Sequence, residues 1–444
     1  MGLKEFFELD KYNTSIKTEI IAGATTFLAM AYILIVNPTI LSISGMPFGP
    51  LIIATIIAAA FATILTGIYA KRPFAMAPYM GENVLFTFSI VLALGVTWQE
   101  ALGAVFWGGI IFLVVTLLGV RTILAKAVPR FLAASWSIGI GLFLMFVGFA
   151  SAGISIPGVP GAPVKIGNLL DMQVLVALAG VVITLALLVK KIPGSILIGI
   201  ISTMILAYLA GIAVTSPEAS GLGFPNWGEV LGKFDPVGAL LNPALIPIIL
   251  VLFLVDTFDT MGTVLGLGLK AGFIKKNQAD DPGLEKVFHV DALATVLGAV
   301  FGTSTVGTYI ESATGIEEGG RTGLTSLVTG LLFLAMLPLA PVIAVLNPGF
   351  LQLASAPALI AVGILMMSVV QHIDFTDIVQ VVPTVITMAF MLFTYNIALG
   401  IAAGLVAYPL TALVAGRGKE VHPVAWILLA IAVLLFVFYP YPKP

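Results

Sequence analysis

Residues 250–263 read LVLFLVDTFDTMGT, and this stretch decides the class of fold. Two carboxylates, Asp256 and Asp259, interrupt an apolar run that is long enough to cross a bilayer. A second stretch, residues 303–312, reads TSTVGTYIES and carries Glu311. An ionised carboxylate in the middle of a bilayer costs at least ~2.5–3.5 kcal/mol, so it usually faces a protein interior or a water-filled path. Both acidic stretches lie among Gly, Ser and Thr, which indicates helices broken around a central polar site.

The composition is that of an integral membrane protein whose solvent is the lipid bilayer. Of the 444 residues, 59% are hydrophobic and 9% are charged, against about 25% charged residues in soluble domains. The absence of cysteine excludes disulfides, thiol catalysis and Cys-ligated metals. A net charge of −2 argues against a nucleic-acid partner. We also expect no cleavable signal peptide, because the first 17 residues are polar and lack a short apolar core.

Runs of about 20 apolar residues predict membrane-spanning helices. The third and tenth runs are short and rich in Gly, Thr and Ser, so we expect them to be partly extended rather than full helices. The last run is either an appended fifteenth spanning helix or an interfacial helix. The runs, numbered as segments one to fifteen, are residues 17–41, 50–70, 74–94, 99–119, 131–152, 172–190, 194–214, 243–269, 287–302, 308–320, 322–346, 352–371, 376–396, 398–416 and 423–440.

The positive charges predict the orientation of the chain. With the N-terminus in the cytoplasm, only Lys165, Lys233 and Lys443 of the 20 Lys and Arg residues fall outside. Cytoplasmic loops normally carry the excess of Lys and Arg. We therefore expect a multi-pass protein of the cell membrane with a cytoplasmic N-terminus.

A weak internal repeat is visible. Residues 129–139 (PRFLAASWSIG) resemble residues 348–358 (PGFLQLASAPA), and residues 190–211 resemble residues 395–416. Seven segments separate the two copies, so the halves cross the membrane in opposite directions, as in many secondary transporters. We predict an all-α polytopic membrane protein with two inverted seven-segment repeats, although apolar helices can also resemble one another by chance.

The broken segments predict the site. Residues 77–83 (APYMGEN) and 305–311 (TVGTYIE) occupy equivalent places, so we expect Asn83 and Glu311 to be pseudo-symmetric. Each would lie where a short extended stretch turns into a half-helix. Pro78 favours extended backbone before it. Irregular backbone at membrane depth is tolerated only where it is buried in protein or lines a cavity.

The two aspartates of segment eight are three residues apart and therefore share one helix face. Simultaneous ionisation of both is unfavourable, so we expect one of them to hold a proton. Asp256, Asp259 and Glu311 are the candidates for proton coupling. The alternative is that neighbouring hydroxyls and amides satisfy both aspartates, or that Asp259 only braces Asp256.

The candidate ligands of a bound molecule are Glu311, Asp256, Asn83, Thr305 and Phe258. Phe258 could stack on a planar ligand or simply pack against a neighbouring helix. Nothing places His residues at metal-ligand spacing, and there is no Walker loop or Rossmann fingerprint. We therefore expect neither an enzyme nor a metal site, and no cofactor other than a coupling ion.

These motifs resemble one known family. Residues 256–263 (DTFDTMGT), 77–83 and 311–324 (ESATGIEEGGRTGL) resemble the AzgA-like purine permeases. These permeases are a branch of the nucleobase–cation symporters, within the nucleobase–ascorbate transporter superfamily. The resemblance covers nearly the whole chain.

The resemblance implies a core domain, formed by residues 1–130 and 243–347, and a gate domain, formed by residues 131–242 and 348–444. It implies that the core moves against the gate, by an elevator or rocking motion, to import adenine, guanine or hypoxanthine with protons. Gate domains of related carriers can dimerise, so a homodimer is a further expectation.

The resemblance also implies site residues. Asp256, Glu311 and Asn83 would line the purine site, and Asp259 would take part in function. This chain departs from the family pattern by carrying Tyr79 and Glu82 in place of Gly and Leu. Glu82 could face the gate, pair with a cation or reach the cytoplasmic rim.

Two other functions remain as alternatives. An anion carrier of the sulfate or bicarbonate kind shares the inverted-repeat architecture, but several acids at the site would repel an anion. A membrane enzyme acting on a lipid-phase substrate would need a nucleophile or metal-ligand cluster near a membrane face, and the sequence contains none that is evident.

Overall fold

The computed structural model describes residues 2–119, 128–159, 162–215, 223–273 and 282–439. It is a helical bundle with two small antiparallel strand pairs. The helices are α1 (Leu3–Phe6), α2 (Ile16–Met30), α3 (Ile33–Ser42), α4 (Phe48–Leu65), α5 (Met80–Val84), α6 (Trp98–Leu117), α7 (Arg130–Ser151), α8 (Met172–Val189), α9 (Ser195–Leu209), α10 (Pro236–Leu241), α11 (Leu245–Lys270), α12 (Pro282–Phe301), α13 (Ser312–Glu317), α14 (Gly323–Leu334), α15 (Ala340–Ala344), α16 (Pro348–Met366), α17 (Ile378–Phe393), α18 (Ile397–Val414) and α19 (Pro423–Phe438). The strands are β1 (Met76–Pro78), β2 (Ser155–Val159), β3 (Ala162–Ile166) and β4 (Val306–Thr308).

The predicted fold class is confirmed. A helix overlaps each of the fifteen predicted segments. Within the described ranges, nine helices are long and apolar enough to cross a membrane, and four more are apolar but shorter. The C-terminal helix, Pro423–Phe438, is one of the shorter four. At 1.5 Å per residue it reaches about 24 Å, which is somewhat less than the ~30 Å hydrocarbon core.

Local sequence explains where several helices begin. The Thr97 hydroxyl accepts a hydrogen bond from the Glu100 N–H, and the Glu100 carboxylate accepts one from the Thr97 N–H, which forms a capping box at the start of α6. Asn347 caps α16, whose first residue is Pro348. These signals define the helix ends independently of the membrane.

Segments three and ten are broken as predicted, and their extended parts pair with each other. β1 and β4 run antiparallel, with Met76 opposite Thr308, Ala77 opposite Gly307 and Pro78 opposite Val306. All three residues of each strand are buried. The pairing supplies backbone hydrogen-bond partners at a depth where water is scarce.

The strand pair defines the symmetry of the two halves. Its local two-fold axis passes between Ala77 and Gly307, and therefore relates Tyr79 to Tyr309. The backbone follows this axis: the Tyr79 N–H donates to the Thr305 carbonyl at 3.0 Å, and the Tyr309 N–H donates to the Ala75 carbonyl at 2.9 Å.

One prediction about this symmetry is wrong. Two residues beyond Tyr79 and Tyr309, the axis relates Gly81 to Glu311, so Asn83 is not the counterpart of Glu311. The sequence comparison aligned polar residues by type, whereas the hydrogen-bond register of the strands sets the real correspondence.

Threonines on α4 and α12 support the two strands in the same way. The Thr63 hydroxyl donates to the Met76 carbonyl at 2.9 Å, and the Thr295 hydroxyl donates to the Val306 carbonyl at 3.2 Å. Met76 and Val306 are related by the strand axis. The inverted repeat is thus visible in hydrogen bonds as well as in the order of the segments.

The helices form two groups by their packing. Helices α2, α4, α6, α11, α12 and α14 contact mainly one another, and so do α7, α8, α9, α16, α17 and α18. α5 joins the groups, because it packs against both α7 and α11. A methyl group added to Gly81 of α5 would lie 2.9 Å from Ile140 Cγ2 of α7.

We expect Gly307→Ala to destabilise the protein. A Cβ at this position would enter the ring of Tyr79, which the strand pair holds in place, so the cost should be about 1–3 kcal/mol. The measurement is the thermal unfolding midpoint in detergent. Gly266→Ala on α11 is the matched control, because a Cβ there meets no atom of the described residues within 4 Å. Equal midpoints for the two variants would contradict the close packing at the β1–β4 pair, which we call the strand crossing.

Candidate functional site

Asp256 lies on α11 beside the strand crossing and is buried. Its Oδ2 atom accepts a hydrogen bond of 2.7 Å from the Thr295 hydroxyl, which also bonds the Val306 carbonyl. Its Oδ1 atom has no hydrogen-bond partner within the described chain. Asp256 is therefore positioned by one oxygen and available through the other.

Asp259 and Phe258 follow one turn along α11 and are half-buried. Asp259 lies within electrostatic reach of Asp256, as expected for two acids on one helix face. The Phe258 ring packs edge-to-face against Trp136 of α7, with ring centroids 5.6 Å apart. Phe258, which is adjacent to Asp259 in the sequence, thus forms an aromatic contact between α11 and α7.

Asn83 and Thr305 approach the same region from the two broken segments. The Ser304 hydroxyl donates to Asn83 Oδ1. Asn83 Nδ2 and Thr305 Oγ1 are buried and lack hydrogen-bond partners in the part of the protein that the structure describes. One amide donor and one hydroxyl are therefore available next to Asp256.

Glu311 is half-buried and immediately precedes α13. The Tyr32 hydroxyl donates to Glu311 Oε1 at 2.8 Å. Tyr32 lies at an interruption between α2 and α3, so segment one is also broken near the site. This partner was not predicted, because an apolar run with one internal tyrosine gives no sign of the break.

Sequence reasoning also missed Asp291 on α12. Asp291 is buried and accepts three hydrogen bonds, from the Thr260 hydroxyl at 2.7 Å, the Thr308 N–H at 2.8 Å and the Thr308 hydroxyl at 2.6 Å. It therefore ties α11 and α12 to strand β4. The signal was available, since Asp291 is an acidic residue inside predicted segment nine, and the argument used for Asp256 applies to it equally.

Tyr79 and Tyr309 are related by the two-fold axis and stack on each other. Their rings are nearly parallel, at 8°, with centroids 6.1 Å apart. The Tyr79 hydroxyl donates to the Thr308 carbonyl at 3.1 Å, and the Tyr309 hydroxyl donates to the Pro78 carbonyl. Each tyrosine hydroxyl therefore bonds the opposite strand. Tyr79, which departs from the family pattern, is thus one of two equivalent tyrosines at the β1–β4 pair.

Unpartnered polar atoms concentrate at this place. Buried polar atoms nearly always have a partner in native proteins, so such a concentration indicates where a polar ligand or water would bind. The site combines carboxylate acceptors with an amide donor and hydroxyls, which suits a neutral polar molecule with donors and acceptors. The buried atoms without a partner in the described residues of segments three, eight and ten are Glu82 Oε1, Glu82 Oε2, Asn83 Nδ2, Asp256 Oδ1, Thr257 Oγ1 and Thr305 Oγ1.

Among the described residues, the carboxylates at the site have no ion-pair partner. None of the ion pairs among the described residues involves Glu82, Asp256, Asp259, Asp291 or Glu311. Glu82 lies within electrostatic reach of Asp256, Asp259 and Asp291. An additional anion would therefore be repelled here unless several of these groups were protonated.

A cleft of about 530 Å³ lies elsewhere, between the beginnings of α8 and α16. Two of its three polar side chains are already used as helix caps: Asp171 Oδ1 accepts from the Gln173 N–H at 2.9 Å, and Asn347 Oδ1 accepts from the Gly349 N–H at 2.8 Å. The acidic site, with its unpartnered atoms, is the stronger candidate for binding.

The sequence is similar to those of known permeases. The model of a permease family, Xan_ur_permease, matches residues 17–403. The chain is 37% identical to the adenine permease AdeP of Escherichia coli, over 98% of this chain and 96% of that protein. It is 36% identical to the guanine/hypoxanthine permease PbuO of Bacillus subtilis, over 97% of this chain and 99% of that protein.

Solved structures share the fold. The transmembrane domain of the cyanobacterium bicarbonate transporter BicA has a TM-score of 0.59 and 17% identity, with 94% of this chain and 97% of that chain covered. The murine anion transporter Slc26a9, in the inward-facing state, has a TM-score of 0.55 and 13% identity, with coverage of 95% and 68%. At these identities the likeness extends to the architecture alone.

We expect Thr260→Val to destabilise the protein by about 1–3 kcal/mol, because the substitution leaves one oxygen of buried Asp291 without its donor. The measurement is thermal unfolding in detergent. Thr116→Val on α6 is the matched control: Thr116 is also buried, and its hydroxyl has no partner among the described residues. A Thr260→Val protein as stable as the control would contradict the role of Asp291 as a structural acceptor.

Proposed function

We propose that this chain, which belongs to the nucleobase–ascorbate transporter family of permeases, imports purine nucleobases together with protons. The observation that carries the proposal is the concentration of unpartnered acceptors and donors around the strand crossing. Relatives that align over nearly the whole chain are named as adenine and guanine/hypoxanthine permeases. We propose adenine, guanine and hypoxanthine as the substrates to test.

The chemistry of a purine matches the available groups. Guanine presents an N1–H and a 2-amino group on one edge, and Glu311 can accept both hydrogen bonds. Asp256 Oδ1 can serve another edge, and Asn83 Nδ2 can donate to a ring nitrogen or carbonyl. Each buried polar partner left unmatched costs about 1–3 kcal/mol, which is enough to select one base over another.

Phe258 and Thr305 complete the proposed site. Phe258 is held by Trp136 beside the two aspartates, where an aromatic ring can lie against a flat base. Thr305 Oγ1 can donate or accept, since its hydroxyl has no partner among the described side chains. We assign these two residues to the walls of the site rather than to its charged edge.

Proton coupling follows from the uncompensated acids. Asp256, Asp259 and Glu311 have no cationic partner among the described residues. Moving several ionised carboxylates through a low-dielectric medium costs free energy. Protons that bind to the carboxylates neutralise this charge. Protonation from the outside would favour loading, and loss of the proton inside would favour release.

We propose that the motion occurs between a core (residues 1–130 and 243–347) and a gate (residues 131–242 and 348–444). The two helix groups that pack mainly within themselves correspond to this division and support it. We further propose a cytoplasmic N-terminus in the cell membrane, because this orientation puts most Lys and Arg residues inside. A homodimer through the gate domain is part of the same proposal.

An anion carrier is the alternative function. The shared architecture with BicA and Slc26a9 is the observation that favours it. The five carboxylates near the strand crossing, which have no ion-pair partner in the described chain, argue against a substrate of negative charge.

We expect proteoliposomes to take up adenine, guanine or hypoxanthine when an inward proton gradient is imposed. Glu311→Gln should lower the initial rate by about tenfold or more, because an amide cannot accept both donors of the purine edge. Glu317→Gln is the control, since Glu317 is an exposed partner of Lys270 at the end of α13. Radiolabelled uptake is the measurement. Uptake of bicarbonate or sulfate without uptake of any purine would refute the proposal and favour the anion carrier.

A disulfide across the proposed core–gate boundary should stop transport. The chain has no native cysteine, so the pair Gly81→Cys with Ile140→Cys would be the only thiols present. Oxidation should abolish uptake and reduction should restore it, because the link prevents relative movement of α5 and α7.

The control pair lies within the proposed core. A Cβ at Gly49 would lie 3.5 Å from the Cβ of Ala344, so Gly49→Cys with Ala344→Cys can form a disulfide of normal geometry. Oxidation of this pair should leave uptake unchanged. Full oxidation of the Gly81–Ile140 pair with unchanged uptake would show that these helices do not need to move apart.

A further inference from the structure

Glu82 is a buried acid for which the described residues provide no hydrogen-bond partner. It lies in α5, is 1% exposed, and neither of its carboxylate oxygens has a hydrogen-bond donor within the described residues. Glu19 on α2 is equally buried, but its carboxylate has hydrogen-bond donors. Its carboxylate accepts from the Arg321 N–H at 2.9 Å and the Thr325 hydroxyl at 2.6 Å. The protein thus provides donors for one buried glutamate and none for the other.

The helices that pack around Glu82 bring acidic side chains within electrostatic reach of it, and their two cations lie at helix ends. Lys270, the last residue of α11, pairs with Glu317. α5 packs against α3, α7 and α11. α3 contains no ionisable residue, and the one ionisable residue of α7, Arg130, is exposed at its first position. α11 contributes Asp256 and Asp259. Beyond these helices, Asp291 of α12 and the neutral phenol of Tyr309 also lie within electrostatic reach.

An ionised Glu82 would therefore have neither a cation nor a donor from any other described residue. The penalty for burying such a charge is several kcal/mol in proteins, so the acid holds a proton while it is enclosed in this way. When the site opens to water, hydration can stabilise the carboxylate and the proton can leave. The same side chain can therefore take up and release a proton in each cycle.

We propose that Glu82 is a separate proton-carrying site, which binds a proton from the outer water and releases it to the inner water with each purine transported. This inference rests on the proposed function. The proton moves between water and the Glu82 carboxylate, and no other bond is made or broken.

The Glu82 proton is distinct from those of the predicted coupling groups. Asp256 has a donor in Thr295, and Glu311 has a donor in Tyr32, whereas no hydrogen bond joins Glu82 to any of them among the described residues. Glu82→Gln should therefore remove one transported proton and leave the others in place. Glutamine keeps the size of the side chain and cannot ionise.

The test is the purine accumulation ratio at equilibrium. Proteoliposomes with a clamped membrane potential of zero are given a pH difference of one unit, and the final inside-to-outside ratio of radiolabelled guanine is measured. Each coupled proton multiplies this ratio by about ten per pH unit. Glu82→Gln should therefore accumulate about tenfold less guanine than the wild type, while Glu82→Asp and Glu317→Gln should match the wild type. An equal ratio for wild type and Glu82→Gln would overturn the proposal.

Calorimetry tests the proposal even for a variant that binds guanine but does not transport it. Guanine binding measured in two buffers of different ionisation enthalpy gives the number of protons taken up on binding. Glu82→Gln should take up fewer protons than the wild type, by up to one, and equal uptake would overturn the proposal. A wild-type protein that neither binds nor accumulates any purine would instead overturn the proposed function, so the two failures are distinguishable.

Discussion

The antiparallel pairing of β1 with β4 is the constraint on which the rest of the structure depends. Segment three begins with strand β1 and segment ten begins at the end of strand β4, and an extended stretch inside a membrane protein leaves backbone N–H and C=O groups without helical partners. Each strand satisfies the other, and the hydroxyls of Tyr79 and Tyr309 bond the opposite strand. Without this pairing, interruptions at membrane depth would leave several polar groups unsatisfied. The two-fold axis of the inverted repeat is a direct consequence of the pairing.

The candidate site is assembled on this crossing by side chains that bond the strands. Thr295 links Asp256 to the Val306 carbonyl, and Asp291 holds both the N–H and the hydroxyl of Thr308. The buried acids therefore separate into two kinds. Asp291 has its hydrogen-bonding capacity used by the protein, so its role is to position neighbouring elements. Asp256 retains an unpartnered oxygen, which makes it available to a bound molecule or a proton.

The architecture does not determine what is carried. BicA and Slc26a9, whose names describe bicarbonate and anion transport, share this fold at 17% and 13% identity. Fold and function separate in this way because the fold positions the site, whereas the residues at the site choose the ligand. In this chain the candidate residues are mainly carboxylates, an amide and hydroxyls, and on this ground we propose a neutral hydrogen-bonding substrate and protons rather than an anion.

The sequence by itself determined the membrane segments and the breaks in segments three and ten, and it singled out Asp256 and Glu311 as candidates, because hydropathy and intramembrane charge are local properties. It could not determine the strand register, so it made Asn83 the counterpart of Glu311, whereas the two-fold axis of the strand pair relates Gly81 to Glu311. It also could not find the partner of Glu311 on segment one or the contact of Phe258 with Trp136. Only the tertiary structure decided these, because they join residues far apart in the chain, and no local pattern records which distant group will satisfy a buried one.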